Sequence, residues 1–281
     1  MTSATNFLQS VLITGCSAGG IGSALAETFH ERGLHVFATA RSRSKMAQLE
    51  KLSNVTLLEL DVTDSKSIEA AVEAVTAKTG GKLNHLINNS GQSIVMPALD
   101  TPIADAKKLF DVNLWGMVAV THAFSPLILE TKGTIVNLAS LAAFFRSPWI
   151  SFYSASKAAV EAYSRSIQLE LAPFGVRVIT LVAGTVQTNI FRNSGGSPLA
   201  PDSMYKAATK EINGLAGGDL VQGAMPPADF ARKVADDVLG GATGTVWRGT
   251  FSTLGRIMLA VIPEWVLDRI TFTRTGLSKL P

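Results

Sequence analysis

Ser140, Tyr153 and Lys157 are the residues whose types and spacing could do chemistry. The serine stands thirteen residues before the tyrosine, and the lysine four after it. On a helix, i and i+4 share one face, so an ammonium can sit beside the phenol. A cation there stabilises phenolate and draws the tyrosine pKa down from about 10. A phenol tuned in that way gives or takes a proton at a carbonyl or alcohol oxygen, and a serine hydroxyl can hold that same oxygen. The chain has three tyrosines, which permits a check. Tyr163 is followed four residues later by Ile167 and Tyr205 by Thr209; only Tyr153 has both the lysine and the upstream serine.

Such a pair needs a second substrate, and a glycine-rich turn near the N-terminus implies one. Val11, Leu12 and Ile13 form a short apolar run suited to a buried parallel strand. Gly15, Gly19, Gly20 and Gly22 follow, and the chain then turns helical from Ser23. Strand, glycine turn, helix is the context of a dinucleotide site: glycines let the backbone approach a pyrophosphate, whose charge the helix N-terminus favours.

Together these motifs resemble the short-chain dehydrogenase/reductase family, over residues from about 10 to about 190. Thr14-Gly15 and Gly20-Ile21-Gly22 match its glycine motif with one extra residue, for which Gly19 is the expected insertion. Asn88-Asn89-Ser90-Gly91 is similar to its Asn-Asn-Ala-Gly, and Asn113 matches its catalytic asparagine. Asp61-Val62 matches its adenine-binding segment. Ala183-Gly184-Thr185-Val186-Gln187-Thr188 resembles the segment that holds the nicotinamide, with alanine in place of proline. The resemblance implies Ser140, Tyr153, Lys157 and Asn113 as catalytic residues. It implies Gly15, Ser17, Gly20, Ile21, Gly22, Asp61, Val62, Asn89, Val186 and Thr188 as cofactor contacts, joined by Tyr153 and Lys157. Lys157 would bind the nicotinamide ribose, and Asn113 would hold a water that relays protons. Within the family the chain is similar to fungal reductases related to 1-acyl-dihydroxyacetone-phosphate reductase and to secondary-metabolite ketoreductases.

Cofactor preference follows from charge. A carboxylate at the end of the second strand would bind a ribose 2′-hydroxyl and repel a 2′-phosphate. Here that strand ends at Ala40, followed by Arg41, Arg43 and Lys45, so NADPH is expected, with Arg41 on the phosphate.

The elements that must position these groups are legible as alternation. Strand-like runs at 11–13, 34–40, 55–60, 83–88, 134–139 and 176–182 recur between helical stretches. They predict a Rossmann-type α/β fold with a doubly wound, mostly parallel sheet covered on both faces. No linker or charge block divides the 281 residues, so residues 1–281 are read as one domain, with a substrate lid over about 190–227. The single cysteine, Cys16, excludes an intramolecular disulfide. His30, His35, His85 and His122 have no metal-ligand spacing, and no Gly-x-Ser-x-Gly elbow occurs. A net charge of +3 gives no argument for nucleic acid.

The first strand begins near residue 10, and no uninterrupted apolar run approaches the ~20 residues a bilayer needs. A cytoplasmic location is expected, with peripheral contact on endoplasmic reticulum or lipid droplets left open by the tail. That tail, about 245–281, carries Arg248, Arg256, Arg269, Arg274 and Lys279 against Glu264 and Asp268, among many apolar residues and Trp265. Three readings stand: an element packed on the core or over the substrate, a subunit contact, or a surface that docks on lipid. Helices around 101–130 and 152–172 match those with which the family pairs subunits, so a dimer or tetramer is expected.

The reaction expected is reduction of a lipophilic ketone to a secondary alcohol, or its reverse, by hydride transfer with Tyr153 as acid and base. Phe144, Phe145, Pro148, Trp149 and Phe191 would make an apolar pocket, with Met204, Tyr205 and Met225 from the lid. An acyl-phosphate substrate would need a basic residue near the pocket, for which Arg146 and Arg192 are the candidates, set against the plainer reading of each as a surface arginine. The alternatives are a non-redox isomerase or dehydratase on the same fold, and a non-catalytic NADPH-binding protein.

Overall fold

The computed structural model describes residues 8–194, 199–218 and 223–281. Its centre is one seven-stranded sheet in the order β3-β2-β1-β4-β5-β6-β7, every pairing parallel. The strands are β1 (Ser10–Ile13), β2 (His35–Ala40), β3 (Val55–Glu59), β4 (His85–Asn88), β5 (Thr134–Ser140), β6 (Arg177–Ala183) and β7 (Gly244–Arg248). The central strands are apolar runs buried on both faces, as a covered parallel sheet requires. One core packs Phe29 and Phe230 against one face of the sheet; another packs Phe124, Leu127 and Val75 against the other.

The helices are α1 (Ile21–Glu31), α2 (Ser65–Thr79), α3 (Ile103–Phe110), α4 (Met117–Thr131), α5 (Ser151–Leu171), α6 (Thr209–Gly217), α7 (Pro227–Leu239), α8 (Ser252–Val261) and α9 (Glu264–Arg274). α2 shows why they stop where they do. Asp64 caps its N-terminus by accepting from the Lys66 amide, and Gly80 ends it at φ 66°. A π-helical turn over Asp111–Gly116 joins α3 to α4, so Ile103–Thr131 runs as one helical stretch. By length and hydropathy alone that stretch could cross a membrane, contrary to the sequence expectation. Its inner residues, Val120, Phe124 and Ile128, are core residues packed with Leu86 and Ile135.

One further expectation is corrected. The six strands read from sequence are present, but residues 244–248, assigned to the tail, are the seventh. β7 pairs with β6 from Ile179↔Gly244 to Ala183↔Arg248. It is a short edge strand of intermediate burial, so it lacks the continuous apolar signature of its neighbours. What remains of the tail is the helical pair α8–α9 and a final turn at Leu277–Lys279. The lid expected over 190–227 includes residues 195–198 and 219–222, which lie outside the described residues.

Candidate active site

Strand order reverses at β1 and β4, and in such sheets ligands bind beyond the carboxyl ends of the strands at that point. The residues singled out from sequence leave those ends. Gly15 follows β1, Asn89 follows β4, Ser140 ends β5, and Val186 and Thr188 follow β6.

The glycine turn is built for close approach. Gly15 has φ +76°, the left-handed region that glycine adopts without strain. A Cβ on Gly22 would lie 2.4 Å from the Gly15 carbonyl oxygen and 2.6 Å from Asn89 Nδ2, so only glycine fits there. Gly20 precedes α1, no side chain caps that helix, and no acid occupies its first turn. Its first amides are therefore available to an anion. Ser17 and Ile21 are half-buried in the same turn. Gly19, the expected insertion, has φ +73° and faces Asn189 Nδ2.

Thr14 joins this turn to the segment after β4. Its Oγ1 accepts from the Asn89 and Ser90 amides at 2.9 Å each, and Asn89 Nδ2 donates to the Thr14 carbonyl at 2.7 Å.

At the ribose end, Arg43 is occupied: its guanidinium pairs with Glu50 and its amide donates to Glu59 Oε1. Arg41 is exposed and has no ion-pair partner among the described residues. Asp61 sits close enough to Arg41 to feel its charge. The Asp61 carboxyl is held below its ordinary pKa first by the Thr63 hydroxyl and amide, which donate to Oδ1 at 2.7 and 2.9 Å, and least by Arg41. Val62 is buried against Gly116 of the π turn. The fold thus offers a bare helix N-terminus, a glycine cradle and, after β2, a guanidinium without an ion-pair partner among the described residues, a set that fits a phosphorylated dinucleotide.

Ser140, Tyr153, Lys157 and Asn113 converge beside that cradle. Tyr153 and Lys157 lie one turn apart on the buried face of α5. The Lys157 Nζ is 5.9 Å from the Tyr153 ring centroid and donates to the Leu138 carbonyl at 2.7 Å. Lys157 Nζ and Asn113 Oδ1 both flank Gly91, 3.6 and 3.4 Å from where its Cβ would be. Asn113 stands in the π turn, a feature common at functional sites. Its Nδ2 donates to the Gln92 carbonyl and to Ser156 Oγ, while its Oδ1 accepts from the Gln92 amide. Ser156 in turn donates to the Tyr153 carbonyl at 2.7 Å.

The electrostatics differ from the sequence expectation. Burial pushes the Tyr153 phenol above its ordinary pKa, and the hydrogen bond with Ser140 pulls it only part of the way back. Lys157 carries the larger consequence: burial brings its ammonium down to about 8. Desolvation penalises charge on both groups here, and it outweighs the mutual attraction inferred from spacing.

Several of these supports join residues distant in sequence. Asn88 Nδ2 donates to Asn137 and Thr121, and Asn137 Nδ2 donates to Ser164, a buried chain that ties β4, β5, α4 and α5 together. Trp149, two residues before α5, has φ +72°, a strained conformation for a bulky side chain. Its carbonyl accepts from the Met96 amide at 2.7 Å, and its indole donates to the Thr275 carbonyl at 3.0 Å.

The aromatic residues divide. Phe191 meets the Tyr153 ring edge-on at 6.3 Å, and Tyr205 meets Trp149 at 5.6 Å. Phe144 instead stacks on Trp247, Phe145 lies against Gly255, Met204 is exposed, and Met225 bridges to Val186 within the core. Leu277 and Leu280 pack into the same apolar cluster as Tyr153 and Trp149. Arg146 is corrected as a phosphate candidate: Glu264 and Asp268 each hold its guanidinium at 2.6 Å. Arg192 donates to the Gly217 carbonyl from an exposed position.

The chain is similar to known proteins over most of its length. The family model described as short chain dehydrogenase matches residues 9–197. Short-chain dehydrogenase ptmH of Penicillium ochrochloron is 43% identical, covering 96% of this chain and 99% of its own. The NADPH-dependent 1-acyldihydroxyacetone phosphate reductase of Schizosaccharomyces pombe is 37% identical over 88% of each chain. Among solved structures, a short-chain dehydrogenase from Streptomyces avermitilis superposes with TM-score 0.77 at 26% identity, covering 99% of this chain and 98% of that one. One from Burkholderia cenocepacia in complex with NADP superposes at 0.71 and 25%, covering 94% and 97%.

Proposed function

The chain belongs to the short-chain dehydrogenase family of oxidoreductases, and from that premise we propose that it reduces a neutral, lipophilic ketone with NADPH. The observation that carries this reading is the convergence of Ser140, Tyr153 and Lys157, with Tyr153 itself part of an apolar cluster.

Bound in that cradle, NADPH supplies the hydride. Gly15, Gly20, Gly22 and the start of α1 would hold its diphosphate, Arg41 would take the 2′-phosphate, and Val186 and Thr188 would border the nicotinamide. The relatives support the phosphorylated cofactor, one being named for NADPH dependence and one solved with NADP. Ser140 donates to the ketone oxygen and holds it beside the phenol. As negative charge grows on that oxygen, Tyr153 gives it a proton. The phenol, although burial raises its pKa, is still far more acidic than an alcohol and can protonate an alkoxide, with the Lys157 ammonium beside the phenolate left behind. Asn113, fixed by Gln92 and Ser156, is the expected holder of a water on the path from Lys157 to solvent.

The substrate class rests on what surrounds Tyr153. Phe191, Trp149, Leu277 and Leu280 offer apolar surface, while Arg146 is neutralised by two carboxylates. This favours a neutral ketone over an acyl phosphate. A dimer through α4 and α5 is part of the proposal, supported by exposed Trp115 in the π turn and Leu169 on α5.

The test is NADPH oxidation by the purified protein, with bulky neutral ketones set against a 1-acyl-dihydroxyacetone phosphate. Turnover of neutral ketones, abolished in Tyr153→Phe with NADPH binding retained, is the expected result. Turnover of the acyl phosphate alone would overturn the substrate class, and full activity in Tyr153→Phe would overturn the acid.

A further inference from the structure

The helical pair α8–α9 is built inside out for a surface element. Ser252 and Gly255 are the buried residues of α8, and a Cβ on Gly255 would sit 3.0 Å from Leu141 and 3.1 Å from Phe145. The helix therefore lies close to the protein through its small residues. Leu254, Ile257 and Val261 fall on the opposite side at i, i+3 and i+7, and they are 52%, 53% and 69% exposed. Phe251 before α8, and Trp265, Ile270 and Phe272 on α9, are exposed as well. No residue of α9 is buried. An ordinary surface helix turns such a stripe towards the core, and a cluster of this size turned outward marks an interaction surface.

Charge says what the partner is. The two acids of the pair, Glu264 and Asp268, are both taken by Arg146. Arg256, Arg269 and Arg274 are exposed and pair with no carboxylate among the described residues. The helical pair thus offers large apolar side chains, one exposed tryptophan and three guanidinium groups without a carboxylate partner among the described residues. A second copy docking by a two-fold axis would bring the same patch against itself, arginines included, with no free acid to meet them. An anionic lipid surface satisfies both features: acyl chains take the apolar stripe, and headgroup phosphates and carboxylates take the arginines.

We propose that α8–α9 docks this protein on anionic membrane surfaces. The docking face is tied to the candidate active site. Arg146 and Trp149, which stand between Ser140 and α5, hold Glu264, Asp268 and Thr275, and Lys279 pairs with Glu211 on α6. A lipophilic substrate dissolved in the bilayer would meet the protein on that side. The docking itself does not depend on the reaction proposed above.

Point substitution tests it better than truncation, because cutting near residue 246 removes part of β7. Full-length protein is floated with vesicles of phosphatidylcholine alone and of phosphatidylcholine with phosphatidylserine. The double variant Ile257→Glu/Trp265→Glu is run beside it, with light scattering for oligomeric state. Expected are flotation with the phosphatidylserine vesicles that weakens as salt rises, a blue-shifted tryptophan emission on binding, and a partition coefficient about tenfold or more lower in the double variant. Thermal midpoint and turnover of a small water-soluble carbonyl should match wild type. Wild type that stays unbound, or a double variant that floats equally well, overturns the proposal. So does a double variant whose change is loss of a dimer with no vesicle binding in wild type, which would assign the face to a second copy.

Discussion

Lys157 does not spend its hydrogen bond on Tyr153: its ammonium lies 5.9 Å from the phenol ring centroid and donates to the Leu138 carbonyl of β5. The two groups share a buried site, and burial governs the protonation of each. That makes both groups sensitive to how dry the site is, and the consequences can be measured.

The first concerns Lys157 and pH. Burial lowers its pKa from 10.5 in the unfolded chain to about 8 in the folded one. Between those values the unfolded chain binds more protons, so this group's contribution to stability rises with pH across the window. Below about 8 the cost of the buried ammonium is fully present, about 3 kcal/mol in order of magnitude. Lys157→Met should be inactive yet melt higher than wild type at pH 7, with the difference closing by pH 10.5. Thermal melts at a series of pH values check this; a variant less stable than wild type at pH 7 would show that the Leu138 bond matters more than desolvation.

Arg41 is the free guanidinium at the end of β2. Arg41→Asp should raise KM for NADPH at least about tenfold while leaving KM for NADH nearly unchanged, since a carboxylate repels a 2′-phosphate and accepts from a 2′-hydroxyl. Steady-state kinetics with both cofactors decide it, and equal effects would remove Arg41 from the phosphate site.

His85 predicts the acid limb of stability. It is buried at the start of β4, 6.4 Å from the Phe29 ring, with neither ring nitrogen hydrogen-bonded. Burial lowers its pKa from 6.5 to about 4. The unfolded chain takes up the proton first as pH falls, so stability is lost through the window from 6.5 to 4. His85→Phe should melt close to wild type at pH 7.5 and lose less between pH 6.5 and 4.5. An unchanged acid limb would place the sensitive group elsewhere.

The last seven residues line the apolar cluster. A chain ending at Arg274 loses the Trp149–Thr275 bond, the Lys279–Glu211 pair and the packing of Leu277 and Leu280 near Tyr153. KM for bulky ketones should rise about tenfold, the scale of losing the contacts of two partly buried leucines, with kcat for a small carbonyl little changed. Equal losses on both substrates would mean that the segment supports the fold and not the pocket.

How far the site was legible depended on distance along the chain. The glycine turn and the Tyr153/Lys157 pair are local patterns, and helix and strand geometry convert them directly into shared faces and shared edges. Asn113 and Asn89 were legible only through family resemblance, because their partners, Ser156 and Thr14, are 43 and 75 residues away. The partners of Arg146 were illegible for the same reason. Nothing near it in sequence foretells Glu264 and Asp268, 118 and 122 residues on. β7 was missed because an edge strand is half-exposed and need not be uniformly apolar.

The sequence by itself determined the alternation of strands and helices, the phosphate-ready turn after β1 and the reactive face of α5, since each is set by side-chain period and backbone freedom within a few residues. Only the tertiary structure decided which arginine is free, which aromatics stand by Tyr153, and that burial rather than neighbouring charge rules the pKa values of Tyr153 and Lys157. Those properties are sums over atoms brought together from distant parts of the chain, and desolvation has no value until the surrounding groups have closed in.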